Sequence, residues 1–249
     1  MSGANLLAYA RWHARDSLAR SLTSVLLFTA LVGIPLMELA SREGLASVTE
    51  PGRLHEGTAQ LYRNILTLTM TLGALLVGSG FVSKDREAGH VRFLFSTPMV
   101  PWQFYLLRFV VGLALYSAMF ALISVGFSEA VFPVPIAPAI ASAVLYGSLL
   151  GSLGMLAGAL MRHDGVLVIG VVLLGSVLQQ LVRASAGNSP AWINGLAKAL
   201  PPIDAADHIR GAWLNGASAE PGQLTLVLAW SLAMLLASLL LIKRAPLVR

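Results

Sequence analysis

Few side chains in this chain could carry chemistry. There is no cysteine, which removes thiolate metal ligands, a cysteine nucleophile and disulfides. His13, His55, His90, His163 and His208 are scattered, with no H-E-x-x-H pattern and no carboxylate pair at helical spacing beside them. Serines follow glycines at Gly78-Ser79, Gly147-Ser148 and Gly175-Ser176, but no long apolar stretch holds a histidine to pair with them. The glycines at Gly147, Gly151, Gly154 and Gly158 lack the lysine of a phosphate-cradling G-x-x-x-x-G-K-[ST] loop. The expectation is a chain with no catalytic residue, no metal site and no cofactor of its own.

The densest charge lies at residues 83–98. Ser83-Lys84-Asp85-Arg86-Glu87-Ala88-Gly89-His90-Val91-Arg92 leads into Phe93-Leu94-Phe95-Ser96-Thr97-Pro98. Wound as a helix, Ala88, Val91 and Phe95 share one side, and Pro98 and Pro101 close the segment. Alternating charges beside an apolar patch suit contact with a protein partner; a plain solvated loop has the same composition.

The elements that hold this segment are apolar. Of all residues 56% are hydrophobic and 12% charged, too little charge to cover a water-facing globule or to stay disordered. A net charge of +5 is too dilute for nucleic acid and lies beside apolar blocks, as at a membrane interface. A spanning helix needs about 20 mostly apolar residues. Six stretches qualify, at about 21–40, 62–82, 105–127, 135–161, 165–182 and 223–242. Continuous apolar runs mean helices, since barrel strands would alternate. The first stretch is expected to stay as a span, because Glu38-Leu39-Ala40 is not a cleavage site for a signal sequence.

Six spans put both termini on one side. Arg11, Arg15, Arg20, Lys84, Arg86, Arg92, Arg108, Arg162, Lys243, Arg244 and Arg249 then share that side, against Arg42, Arg53, Arg63, Arg183, Lys198 and Arg210 opposite. The excess places both termini in the cytoplasm. Residues 4–20 carry an apolar stripe of Leu7, Ala10, Ala14 and Leu18 flanked by Arg11, Trp12 and Arg15, which suits a helix lying in the interface against lipid phosphates. The glycines of the fourth stretch predict close helix packing, with a subunit interface as the sharper alternative. Glu38, Arg63, Arg108 and Glu129 fall near span ends and read as interfacial, and no chain of acids exists for a proton relay. Gln179 and Gln180 line a path or cap their own helix. In the outer loop at 183–222, Trp192, Trp213 and two apolar patches predict short helices on or in the outer leaflet.

The segment from Phe81 to Pro98, followed by Phe104 and Arg108, resembles the loop between spans two and three of type-2 ATP-binding-cassette transporter permeases. Asp85, Glu87, Gly89, Leu94, Ser96 and Pro98 match that family's acidic-basic-acidic-x-Gly stretch and its Ser-x-Pro turn; His90 stands where Thr or Ser is more usual. Leu200-Pro201-Pro202-Ile203 through Gly211 is similar to the family's Pro-containing stretch before the last span. The resemblance implies an all-α polytopic membrane protein of six transmembrane helices, one permease domain over 1–249, with an N-terminal interfacial helix and a cytoplasmic coupling helix in the loop 83–104. It implies a dimer of this chain or with a related permease, working with a separate ABC ATPase subunit that binds the ATP and Mg. Lys84, Asp85, Arg86, Glu87, Gly89, His90, Val91, Arg92 and Phe95 would form the ATPase-coupling contact. A membrane anchor or scaffold for an ATPase, without a path of its own, is the alternative.

Overall fold

The structure is a computed structural model that describes residues 10–11, 14–15, 82, 100–130, 135–161, 164–185 and 189–244. The expected spans at 21–40 and 62–82, apart from Val82, lie outside the described residues. So do Trp12, all the coupling residues between 84 and 95, and the rest of the expected interfacial helix. Within that helix Ala10, Arg11, Ala14 and Arg15 are helical, with both arginines exposed and both alanines half-buried.

Among the described residues the order is α1 (Pro101–Ala130), α2 (Ile136–Leu160), α3 (Asp164–Ala184), α4 (Ala191–Ala199), α5 (Ile203–Leu214) and α6 (Pro221–Arg244), with no strand. Four of these, α1, α2, α3 and α6, are long and apolar enough to cross a membrane. They fall on the last four of the six expected stretches. The described part of the chain is thus all-helical, with four candidate membrane-spanning helices.

Proline sets the ends of these helices. Pro101 is the first residue of α1, where its missing N–H costs nothing, and Val100 supplies the carbonyl that accepts from Phe104 N at 3.3 Å. The helix therefore begins four residues before the expected start at 105, inside the expected coupling loop 83–104. Pro221 opens α6 in the same way, with Leu224 N donating to the carbonyl of Glu220 at 3.1 Å. Lys243 and Arg244 close α6, where cations oppose the negative end of the helix dipole.

Among the described helices α2 is central and packs on α1, α3, α5 and α6. Of its apolar stretch 67% is buried, against 22%, 22% and 28% for α1, α3 and α6. Those three turn leucine, valine and isoleucine outward, among them Leu122, Val166, Leu173, Leu232 and Leu240. A water-soluble monomer rarely exposes so much apolar surface. The serine hydroxyls of Ser142, Ser152, Ser176, Ser231 and Ser238 instead bond to carbonyls three or four residues back on their own helices. Hydroxyls satisfied within the helix suit an environment without water.

Among the described residues the buried apolar side chains form two clusters. At one end, called proximal here, the start of α1 meets the ends of α2 and α6: Phe104, Tyr105, Phe109, Met155 and Ile242 cluster with Val82. The larger cluster fills the remainder, with Tyr116, Phe120, Tyr146, Leu149, Val172, Ile209 and Met234 among its members. At the other, distal end, α4 runs along α3 with none of its residues buried, and α5 packs into the bundle.

Candidate functional site

The distal return, called the hairpin here, is two helices joined at a Pro201-Pro202 tip, with α4 packed on α3 and α5 packed on α2, α3 and α6. Ile203 Cδ1 lies 3.5 Å from where a side chain on Gly175 would begin, so the tip packs on the glycine of α3. Gly175 is nine residues from Ala184, about 14 Å along the axis at 1.5 Å per residue. The hairpin therefore reaches well below the distal end of α3. Its buried face is Ile203, Ala206 and Ile209.

One side chain fixes the tip. Gln179 of α3 donates through Nε2 to the carbonyl of Pro201 at 3.0 Å and accepts at Oε1 from the backbone N–H of Asp204 at 2.9 Å. α5 has no capping side chain of its own at Pro202, and Gln179 satisfies one of its orphan amides from a different helix. Gln179 thus caps a helix other than its own; Gln180 is exposed. At the other end of α5, Gly216 adopts φ 74°, a left-handed value that suits glycine. Gly216 N donates to Trp213 O at 3.1 Å and Ala217 N to Ala212 O at 2.9 Å, the paired bonds of a Schellman cap.

A polar cluster ties α5 to α2. The hydroxyl of Tyr146 donates to the Asp207 carboxylate. Arg210 pairs with that carboxylate at 3.1 Å, donates to the Tyr146 oxygen at 3.4 Å, and places its guanidinium 5.5 Å from the centre of the tyrosine ring. Tyr146 is 1% exposed, the Arg210 side chain 13% and the Asp207 side chain 44%. The three groups join an apolar helix to a polar one by charge-assisted bonds, which are stronger and more directional than neutral ones. Such an arrangement holds or releases a structural element; it has no nucleophile–base pair. Among the described residues no group of three or more His, Asp or Glu side chains gathers as a metal site.

Of the residues singled out in sequence, Gly147 and Gly151 meet α1. A side chain on Gly147 would begin 2.6 Å from Leu113 Cδ1 and 2.9 Å from Tyr116 Cδ1, and one on Gly151 3.1 Å from Phe109 Cε2. Phe109, Leu113 and Tyr116 thus fit into the gap the glycines leave. Gly154 and Gly158 are buried on the same helix. Glu129 is exposed and Arg108 half-buried. Tyr146 was not among the expected site residues; Asp207 stood only within the Pro-containing stretch, and Arg210 there and among the outer cations. The signal available was the i, i+3 spacing of Asp207 and Arg210 after two prolines.

No protein-family model matches the chain, and no curated protein matches it.

Proposed function

We propose that this chain is the membrane-spanning permease subunit of an ATP-binding-cassette transporter, working as an exporter. A separate ATPase subunit binds ATP and Mg and docks on residues 84–95. The chain sits in the cell membrane with six spans and both termini in the cytoplasm, so that the proximal end of the bundle is cytoplasmic. It pairs with a second copy or a related permease, since six spans supply half of a twofold path.

The observation that carries this reading is the charged segment with Asp85, Glu87, Gly89, Leu94, Ser96 and Pro98 in the family's spacing. Its surroundings lend support. Val82, at its start, is buried in one cluster with side chains of α1, α2 and α6, and α1 follows directly after it at Pro101. A force on the segment would therefore reach three long helices at once. Closely packed cores pass displacement on rather than absorb it.

Coupling then takes the following form. Lys84, Asp85, Arg86, Glu87, His90 and Arg92 pair with the ATPase, Val91 and Phe95 anchor the contact, and Gly89 permits close approach. Closure of two ATPases around ATP favours one arrangement of the bundle over the other, and the difference in affinity sets how far the population moves. At the distal end the α4–α5 hairpin acts as the outer gate, held shut by Tyr146, Asp207, Arg210 and Gln179. Arg11, Trp12 and Arg15 settle the N-terminal helix on the cytoplasmic leaflet.

The test is replacement of residues 85–92 by alanine in the intact complex. The reading predicts that the chain still inserts in the membrane while ATP hydrolysis no longer drives transport. Unchanged transport would contradict it.

A further inference from the structure

The two faces of α5 differ in kind. One carries Ile203, Ala206 and Ile209 into the bundle. The other carries Asp204, Asp207, His208 and Gly211, which recur at helical spacing. On that face His208 is exposed, Asp207 is 44% exposed, and a side chain at Gly211 would meet nothing within 4 Å. This polar face does not stand above the bundle. Asp207 bonds to Tyr146, ten residues or about 15 Å along α2 from Ile136, and the tip of the hairpin lies against Gly175. By contrast, the outward side chains of α3 and α6 around this level are mostly apolar, among them Leu173, Leu174, Val177, Leu228 and Leu232, with Gln180 exposed nearer the distal end of α3.

An exposed imidazole at this level, beside a carboxylate that bonds inward to Tyr146 but stays 44% exposed, is costly against hydrocarbon, and ionisable groups within membranes turn to the bundle interior or to water-filled cavities. Irregular backbone such as the Pro201-Pro202 tip is tolerated at membrane depth under the same condition. We propose that the Asp207–His208–Gly211 face of α5 lines a water-filled vestibule that opens at the distal end and reaches the level of Tyr146. The inference rests on the reading of α1, α2, α3 and α6 as spans. It adds that the outer part of the path is hydrated, so a transported molecule passes α5 against a polar wall.

The absence of native cysteine makes the test direct. Single cysteines are introduced by His208→Cys and Gly211→Cys, with Ser218→Cys in the exposed distal turn as the aqueous control. Leu173→Cys and Leu236→Cys on the outward faces of α3 and α6 serve as lipid controls. The full-length chain in its own membrane is treated with a membrane-impermeant sulfonated maleimide, then with N-ethylmaleimide. Maleimides react with the thiolate, which needs water to form. The expected result is labelling of the 208 and 211 variants from the same side as the 218 variant, within about tenfold of its rate. The two lipid controls react on the order of 100-fold more slowly, if at all. Labelling at 218 without labelling at both 208 and 211 overturns the vestibule. Rapid labelling at 173 and 236 by the impermeant reagent overturns instead the reading of α3 and α6 as spans.

Discussion

Replacing Tyr146 by phenylalanine isolates the bond between α2 and α5. The ring keeps its packing and its place beside the Arg210 guanidinium, 5.5 Å away; only the hydroxyl is lost. That hydroxyl donates to a carboxylate, and a hydrogen bond to a charged group contributes about 1.5–3 kcal/mol. Asp207 keeps its pairing with Arg210 at 3.1 Å, and at 44% exposure it recovers part of the loss from water, which selects the low end. Arg210 gives up only a long contact of 3.4 Å. The expected cost is about 1.5 kcal/mol, close to a tenfold increase in opening of the hairpin. Hydrogen exchange of the full-length protein in nanodiscs, followed by mass spectrometry, reads this opening as faster exchange across Ile203–Leu214, with α2 unchanged. Asp207→Asn should give a similar effect, and combining the two should cost less than their sum because they share one bond. Exchange across α5 that stays within twofold of the parent in Tyr146→Phe, or full additivity of the two changes, would refute the latch.

Other substitutions test the packing around it. Gln179→Ala removes two bonds, one to the Pro201 carbonyl, which still accepts from Ile203 N at 2.8 Å, and one from the Asp204 N–H, so the hairpin tip should loosen by about 1–2 kcal/mol and its exchange should rise at residues 200–206. Gly147→Val forces a side chain into Leu113 and Tyr116 and should lower the melting temperature in detergent, at a cost of about 1–3 kcal/mol. Gly170→Ala, where the added carbon meets nothing within 4 Å, should leave the melt unchanged or raise it slightly, because alanine favours the helix over glycine. Equal effects at Gly147 and Gly170 would remove the close-packing account of the former.

The long apolar helices were legible because a run of about 20 apolar residues is a one-dimensional signal. Pro101 shows the limit of boundary reading. As a stop it closes the segment before it, yet it also starts α1, since a proline at the first helical position loses no bond. The small-residue period of α2 was readable too, but Phe109, Leu113 and Tyr116, the side chains that occupy it, are set by how α1 crosses α2. Tyr146 lies in an apolar run as an ordinary core aromatic; its partners Asp207 and Arg210 come 61 and 64 residues later and are brought to it by the folding back of α5. Gln179 was visible as a polar residue near a helix end, but its partners belong to the Pro201-Pro202 turn and depend on the same return. Local composition thus reported the elements, while the distal cluster depends on tertiary contact.

The central claim is that an ATPase grips the segment around Glu87 on the cytoplasmic face. A single Glu87→Cys variant, in a chain with no other cysteine, carries a photoactivatable crosslinker at that position in the native membrane. The account predicts an adduct with a nucleotide-binding subunit, identified by mass spectrometry, and no reaction of residue 87 with an impermeant maleimide added to intact cells. Labelling of residue 87 from the exterior, or adducts that contain no ATP-binding protein, would contradict it.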